Sequence, residues 1–226
     1  GQLPNAGFEN FHEASYGSAK SQEPNGWHSF MSSTGSMASM VSAAVHTYAS
    51  SEVRENAAED NKQCVKIVST PVKVGSIVAA SANGTITTGR LKAGSMTASN
   101  KNNCSFLDFS STGVDANGDP FYAVLNNKPD SMKVWVKFKA GEGNKNPKAT
   151  ISALLTNGKM AQDPEDEQYA ANIIARAQNS SIESKDEWQE ITIPFTYNNA
   201  EEMPKAALVT MSTCAVPSGG SKSETN

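Results

Sequence analysis

The chain has 226 residues, enough to bury a sizeable core, with 38% hydrophobic and 19% charged residues and a formal charge of −4. The 19 basic residues are scattered and form no stripe able to neutralise a phosphate backbone, so nucleic acid is excluded as a partner. Apolar runs such as Ala206-Ala-Leu-Val209 fall far short of the roughly 20 residues needed to cross a bilayer, so no transmembrane segment is expected.

The chain opens on Gly1-Gln2 without an initiator Met, as expected of an exported protein whose signal peptide has been removed. Leu3-Pro-Asn-Ala-Gly-Phe-Glu9 leads into a polar stretch that ends at Pro24-Asn25-Gly26-Trp27-His28, where Pro, Asn and Gly mark a turn. Residues 32–62 are rich in Ser, Ala and Asn and read as a long irregular excursion, with a helical turn around Ser51–Ala57.

Strand signals then recur at near-regular intervals, at Cys64–Thr70, Ser76–Ala80, Gly84–Leu91, Ser105–Phe109, Met132–Lys139, Thr150–Leu155, Gln189–Tyr197 and Ala207–Thr213. The intervening Asn83-Gly84, Asn117-Gly118-Asp119-Pro120, Gly141-Glu-Gly143 and Asn157-Gly158 tolerate positive φ, so the pattern predicts a single all-β sandwich or barrel over 1–226. One helical signal interrupts it: Asp163-Pro164 before an acidic run predicts a short helix over 164–170, followed by a strand.

In Met132-Lys-Val-Trp-Val-Lys-Phe-Lys139 the even positions are apolar and belong in the core, which turns Lys133, Trp135, Lys137 and Lys139 outward. A sugar ring offers an apolar C–H face that stacks on a flat indole while its hydroxyls bond nearby polar groups. Trp135, with Lys133 and Lys137 beside it, is therefore a carbohydrate-binding candidate, unless a loop covers that face and buries it. Trp27 follows a turn and is either a loop-borne platform or a plug closing the end of the sandwich; Trp188 reads as a structural anchor.

No Gly-x-Ser-x-Gly elbow accompanies the three histidines His12, His28 and His46, and metal-ligand motifs are missing. Asp115–Asp119 is similar to a calcium loop but lacks the distal glutamate, and reads as a turn. Two carboxylates facing across a cleft would suffice for glycoside hydrolysis; Glu9, Asp108, Asp119, Asp130 and Glu190 are candidates in ordinary surroundings. Cys64, Cys104 and Cys214 lack metal-ligand spacing and read as small buried hydrophobes, with at most one internal disulfide whose pairing spacing does not reveal.

Leu3-Pro-Asn-Ala-Gly-Phe-Glu9 with Asn25-Gly-Trp27, Thr87-Thr-Gly-Arg-Leu91, Lys128-Pro-Asp-Ser-Met132 before Val134-Trp-Val-Lys-Phe138, Trp188-Gln-Glu-Ile-Thr-Ile-Pro-Phe195, and Met211-Ser-Thr213 before Gly219-Gly-Ser221 together resemble the putative carbohydrate metabolism domain of bacterial surface lipoproteins. The resemblance implies a galactose-binding-like jelly-roll β-sandwich of two antiparallel sheets with one or two short helices. It also implies Glu9 as a ligand to a structural calcium ion, by likeness to jelly-roll modules that open with Gly-Phe-Glu. Such modules draw a second carboxylate from a closing strand, which this sequence, ending Glu224-Thr-Asn226, is expected to lack. The expected function is binding of an oligo- or polysaccharide at the cell surface; a glycoside hydrolase or an adhesion module for another surface protein are the alternatives.

Overall fold

The computed structural model describes residues 2–199 and 201–217. Its strands in chain order are β1 (Phe11–Tyr16), β2 (Ala19–Pro24), β3 (Thr47–Ser50), β4 (Cys64–Ile67), β5 (Thr70–Val74), β6 (Ile77–Ala82), β7 (Thr85–Thr87), β8 (Arg90–Ala93), β9 (Asn103–Phe106), β10 (Ala123–Val124), β11 (Ser131–Val136), β12 (Lys148–Thr156), β13 (Gln162–Asp163), β14 (Ile173–Glu183), β15 (Gln189–Pro194), β16 (Thr196–Tyr197) and β17 (Ala206–Ser212). Among the described residues, helix is limited to α1 (Ala38–Val41) and 3-10 turns at Phe30–Ser32 and Glu167–Asn172. The ladders between these strands are antiparallel, so the all-β, sandwich-like class expected from the sequence holds.

β12 is the axis of the molecule, hydrogen-bonded to β14 on one side and to β17 on the other within a six-stranded sheet. In its first half, buried Ala149 and Ile151 alternate with half-buried Lys148, Thr150 and Ser152; from Ala153 to Thr156 every residue is buried. Alternation marks a sheet covered on one face, and an unbroken buried run marks cover on both. On one face Ile151, Ala153 and Leu155 join Ala175, Ala177, Ala207 and Val209 in the larger core; on the other Leu154, Ile173 and Leu208 meet Leu107 and Ala161.

Each cover has a recognisable source. The antiparallel pair β11–β15 lays Met132, Val134, Ile191 and Ile193 on the larger core. The set β13–β9–β8 approaches the opposite face. That approach requires Gly89, where a β-carbon would run into Leu208 and the carbonyl of Phe106.

The N-terminal segment closes one end. Gly26 takes φ +80°, a conformation natural to glycine, in the turn that leads into Trp27. Trp27 is 1% exposed, donates its Nε1–H to the carbonyl of Pro4 at 2.9 Å and meets the ring of Phe8 at 5.1 Å between centroids. Of the two roles open to it in the sequence, the structure corrects the platform to the plug: its faces are taken by core side chains and reach no ligand.

Three local expectations shift. The polar stretch before Pro24 is the β1–β2 hairpin, unseen in the sequence because the buried positions of the pair are Ala14, Ser21, Glu23 and Pro24, which carry little hydrophobic alternation. The helix expected over 164–170 is a 3-10 turn displaced to Glu167–Asn172 and capped by Asp166, while Asp163 ends β13 and accepts a hydrogen bond from the Ser152 hydroxyl of β12. Residues 51–63 contain no helix. None of the three cysteines is joined to another by a disulfide; Cys104 and Cys214 are buried and Cys64 is half-buried. The expected loss of a closing strand, and the Gly219-Gly-Ser221 motif, fall outside the described residues.

Trp27→Ala should lower the unfolding free energy by about 3–5 kcal/mol in urea titration, as for other fully buried aromatics. Trp135→Ala, at 41% exposure, should cost about 1 kcal/mol or less.

Candidate functional site

The pleat of β11 decides the site. Met132 and Phe138 are buried, Val134 and Val136 pack against the core, and Lys133, Trp135 and Lys137 face outward, as the alternation requires. Antiparallel pairing sets Trp135 directly opposite Glu190 and Lys133 opposite Thr192 on β15. Lys133 Nζ lies 3.9 Å from Glu190 Oε1, so the indole sits among hydrogen-bonding groups of both signs.

Trp135, Lys137, Lys139 and Trp188 border a cavity of about 440 Å³ that runs inward between β11 and the central sheet. Its floor is apolar, built by Ile86, Val134, Phe138, Ile151, Ile182 and Met211. The size falls within the range usual for ligand sites, and an apolar floor with a sparse polar rim is their common chemistry. Trp188 is half-buried at this rim, between the anchor expected of it and a contact surface.

The irregular segment 51–63 reaches over the same rim. Arg54 places its guanidinium 4.5 Å from the centre of the Trp135 ring, and Glu52 forms an ion pair with Lys137. The far end of this segment is clasped by Glu9, whose Oε1 accepts the backbone N–H of Lys62 at 2.9 Å and of Gln63 at 3.1 Å, while its carbonyl accepts from Gln63 Nε2. Glu9 therefore works through the loop that carries Arg54. Among the described residues, no group of three converging His, Cys, Asp or Glu side chains includes it.

The other carboxylates singled out in the sequence are dispersed. Asp108 pairs with Arg90 at 3.1 Å, Asp119 accepts the backbone N–H of Gly26, Asp130 is exposed, and Glu190 stands beside Trp135. At the cavity, Asp186 is held below the ordinary carboxylate range by its hydrogen bond from Lys139. That is the wrong direction for a glycosidase general acid, which needs its pKa raised.

Sequence reading missed one convergence altogether: His12, Glu23 and Asp115 bring possible metal-ligating atoms within 4.8 Å of one another, and His28 adjoins them. The sole signal was His12 and Glu23 at matched positions of an unrecognised hairpin.

The comparisons with known proteins agree with the β-rich architecture. The putative carbohydrate metabolism domain matches residues 4–214. No curated protein matches the chain. Among solved structures, a putative glycoside hydrolase from Bacteroides vulgatus superposes with a TM-score of 0.59 at 13% identity, over 92% of this chain and 87% of that one. A putative glycoside hydrolase from Bacteroides thetaiotaomicron superposes with a TM-score of 0.58 at 14% identity, over 95% of this chain and 64% of that one. Such identities establish likeness of fold alone. No helix among the described residues is long and apolar enough to cross a membrane. Matched along nearly its whole length, the chain belongs to the putative carbohydrate metabolism domain family.

Proposed function

We propose that the protein binds an oligo- or polysaccharide, without cleaving it, on the outer face of the β11–β15 pair formed by Trp135, Lys133, Lys137 and Glu190, next to the cavity that Trp135 and Lys137 border. The observation that carries this reading is the exposed indole on the outer face of β11, 41% accessible beside an apolar-floored cavity. An indole supplies the flat apolar surface that a pyranose C–H face stacks on, and the neighbouring ammonium and carboxylate groups bond its hydroxyls. Arg54 lies against this indole on a loop with no regular structure, so an incoming sugar competes with it for the ring.

Hydrolysis is the second reading, favoured by two structural neighbours that are each a putative glycoside hydrolase. The dispersal of Asp108, Asp119, Asp130 and Glu190 weighs toward binding. Placement outside the cell, at the surface where long glycans are met, is part of the same proposal; it rests on the resemblance of the sequence motifs to those of surface lipoproteins.

A glycan array should identify the bound sugar, and affinity electrophoresis in gels containing it should show retention that Trp135→Ala abolishes while the melting temperature moves by no more than a few degrees. Unchanged retention in that variant would remove the platform, and release of reducing ends by the wild-type protein would replace binding with hydrolysis. Arg54→Ala, which frees the indole of a contact of about 0.5–1 kcal/mol, should tighten binding about two- to fivefold in isothermal titration.

A further inference from the structure

Four side chains from separate stretches of the chain meet in the interior, apart from the cavity beside Trp135. Pairing of β1 with β2 sets His12 against Glu23, with Nε2 and Oε1 3.1 Å apart. The chain turns at Gly26 and returns His28, whose Nδ1 lies 3.0 Å from Asp115 Oδ2 and 3.9 Å from Glu23 Oε1. His12 Nε2 is 3.7 Å from the same Asp115 oxygen. Glu23 and His28 are 0% exposed and Asp115 8%, and the His12 side chain is 10% exposed.

The atoms of these groups that point away from the centre all have partners. His28 Nε2 lies 2.9 Å from the carbonyl of Pro120, which only accepts, so this nitrogen carries the hydrogen and Nδ1 of the neutral ring carries a lone pair. His12 Nδ1 is held by Asn25 Oδ1 at 2.8 Å. Glu23 Oε2 accepts both the N–H and the hydroxyl of Ser29, and Asp115 Oδ1 accepts the N–H groups of Asn117 and Asp119. These outer bonds aim the remaining atoms inward, as the supporting bonds of metal ligands do. At the centre, His28 Nδ1 and Asp115 Oδ2 are buried without a hydrogen-bond partner despite their closeness. Buried polar atoms are rarely left so, because each has lost its water and received nothing for it.

We propose that His12 Nε2, Glu23 Oε1, His28 Nδ1 and Asp115 Oδ2 bind one divalent transition-metal ion of the zinc class. A tetrahedral zinc site with bonds of about 2.0–2.1 Å has ligand atoms about 3.3 Å apart, and the four N···O separations here run from 3.0 to 3.9 Å. Two imidazole nitrogens favour zinc over calcium, which takes six to eight oxygens, and two carboxylates balance the ion's charge. Asp115 also lines a cavity of about 230 Å³ with Arg90 and Phe121, which offers a way in. Four protein ligands close the site, so the ion ties the β1–β2 hairpin and the segment of His28 to the 115–120 turn and serves stability.

The test uses the whole chain, stripped with a chelator, desalted and verified as folded by near-ultraviolet circular dichroism. Zinc titration should give one ion per chain and raise the melting temperature; cobalt should give the intense visible bands of a tetrahedral site; His12→Gln and His28→Ala should each weaken zinc at least tenfold. His12 is the most accessible of the four, so its variant is read even where His28→Ala fails to fold, and the wild-type stoichiometry needs no variant. Failure of folded wild-type protein to take up zinc, leaving the cluster an ion-pair network, overturns the site, as does uptake of calcium alone or zinc binding unchanged in His12→Gln.

Discussion

The structure depends on the burial of β12 between two partner strands and, over its second half, between two layers. β12 carries bulk on both faces there, Leu154 on one and Leu155 on the other, and several of its neighbours across the ladder are alanine: Ala175 and Ala177 on β14, Ala206 and Ala207 on β17. The small residues let the covering layers close, and the larger ones, Ile151, Leu154, Leu208 and Ile193, fill the space between them. Gly89 serves the same closeness on the side of β8 and β9.

From that constraint the site follows. The β11–β15 pair must give its apolar face to the larger core, and because strand side chains alternate, the face left over presents Trp135 between Lys133 and Lys137. The indole is not a stray exposed aromatic: Arg54 lies against it, and the loop carrying Arg54 is clasped at its far end by Glu9. A residue singled out for a metal thus holds the loop that lies above Trp135. Ion pairs of Glu52 with Lys137 and Asp186 with Lys139 keep the rim polar while the cavity floor stays apolar.

The interior cluster shows a different economy. Glu23, at 0% exposure, is an acidic residue that a sandwich interior rejects unless it is paired. Here two histidines and Asp115 surround it, and the Asx turn from Asp115 to Asp119, legible as a simple turn, orients a carboxylate whose second oxygen points at those histidines. Local turn chemistry and the long-range site share one side chain, each using a different oxygen.

Many strand positions from Cys64 onward, the inward set Met132, Val134, Val136 and Phe138, and the outward turn of Trp135 were determined by the sequence, because period-two alternation and turn residues act over a few neighbouring positions; the break that divides the expected Gly84–Leu91 strand into β7 and β8 in different sheets, and the strand β5, were not. Gly26 and its neighbours announced a turn before Trp27 for the same reason. What tertiary structure alone decided was the choice between platform and plug for Trp27, the role of Glu9 as a loop clasp, and the meeting of His12, Glu23, His28 and Asp115. Those outcomes depend on contacts between residues far apart in the chain, up to 103 positions from His12 to Asp115, and such contacts leave no local periodicity to read.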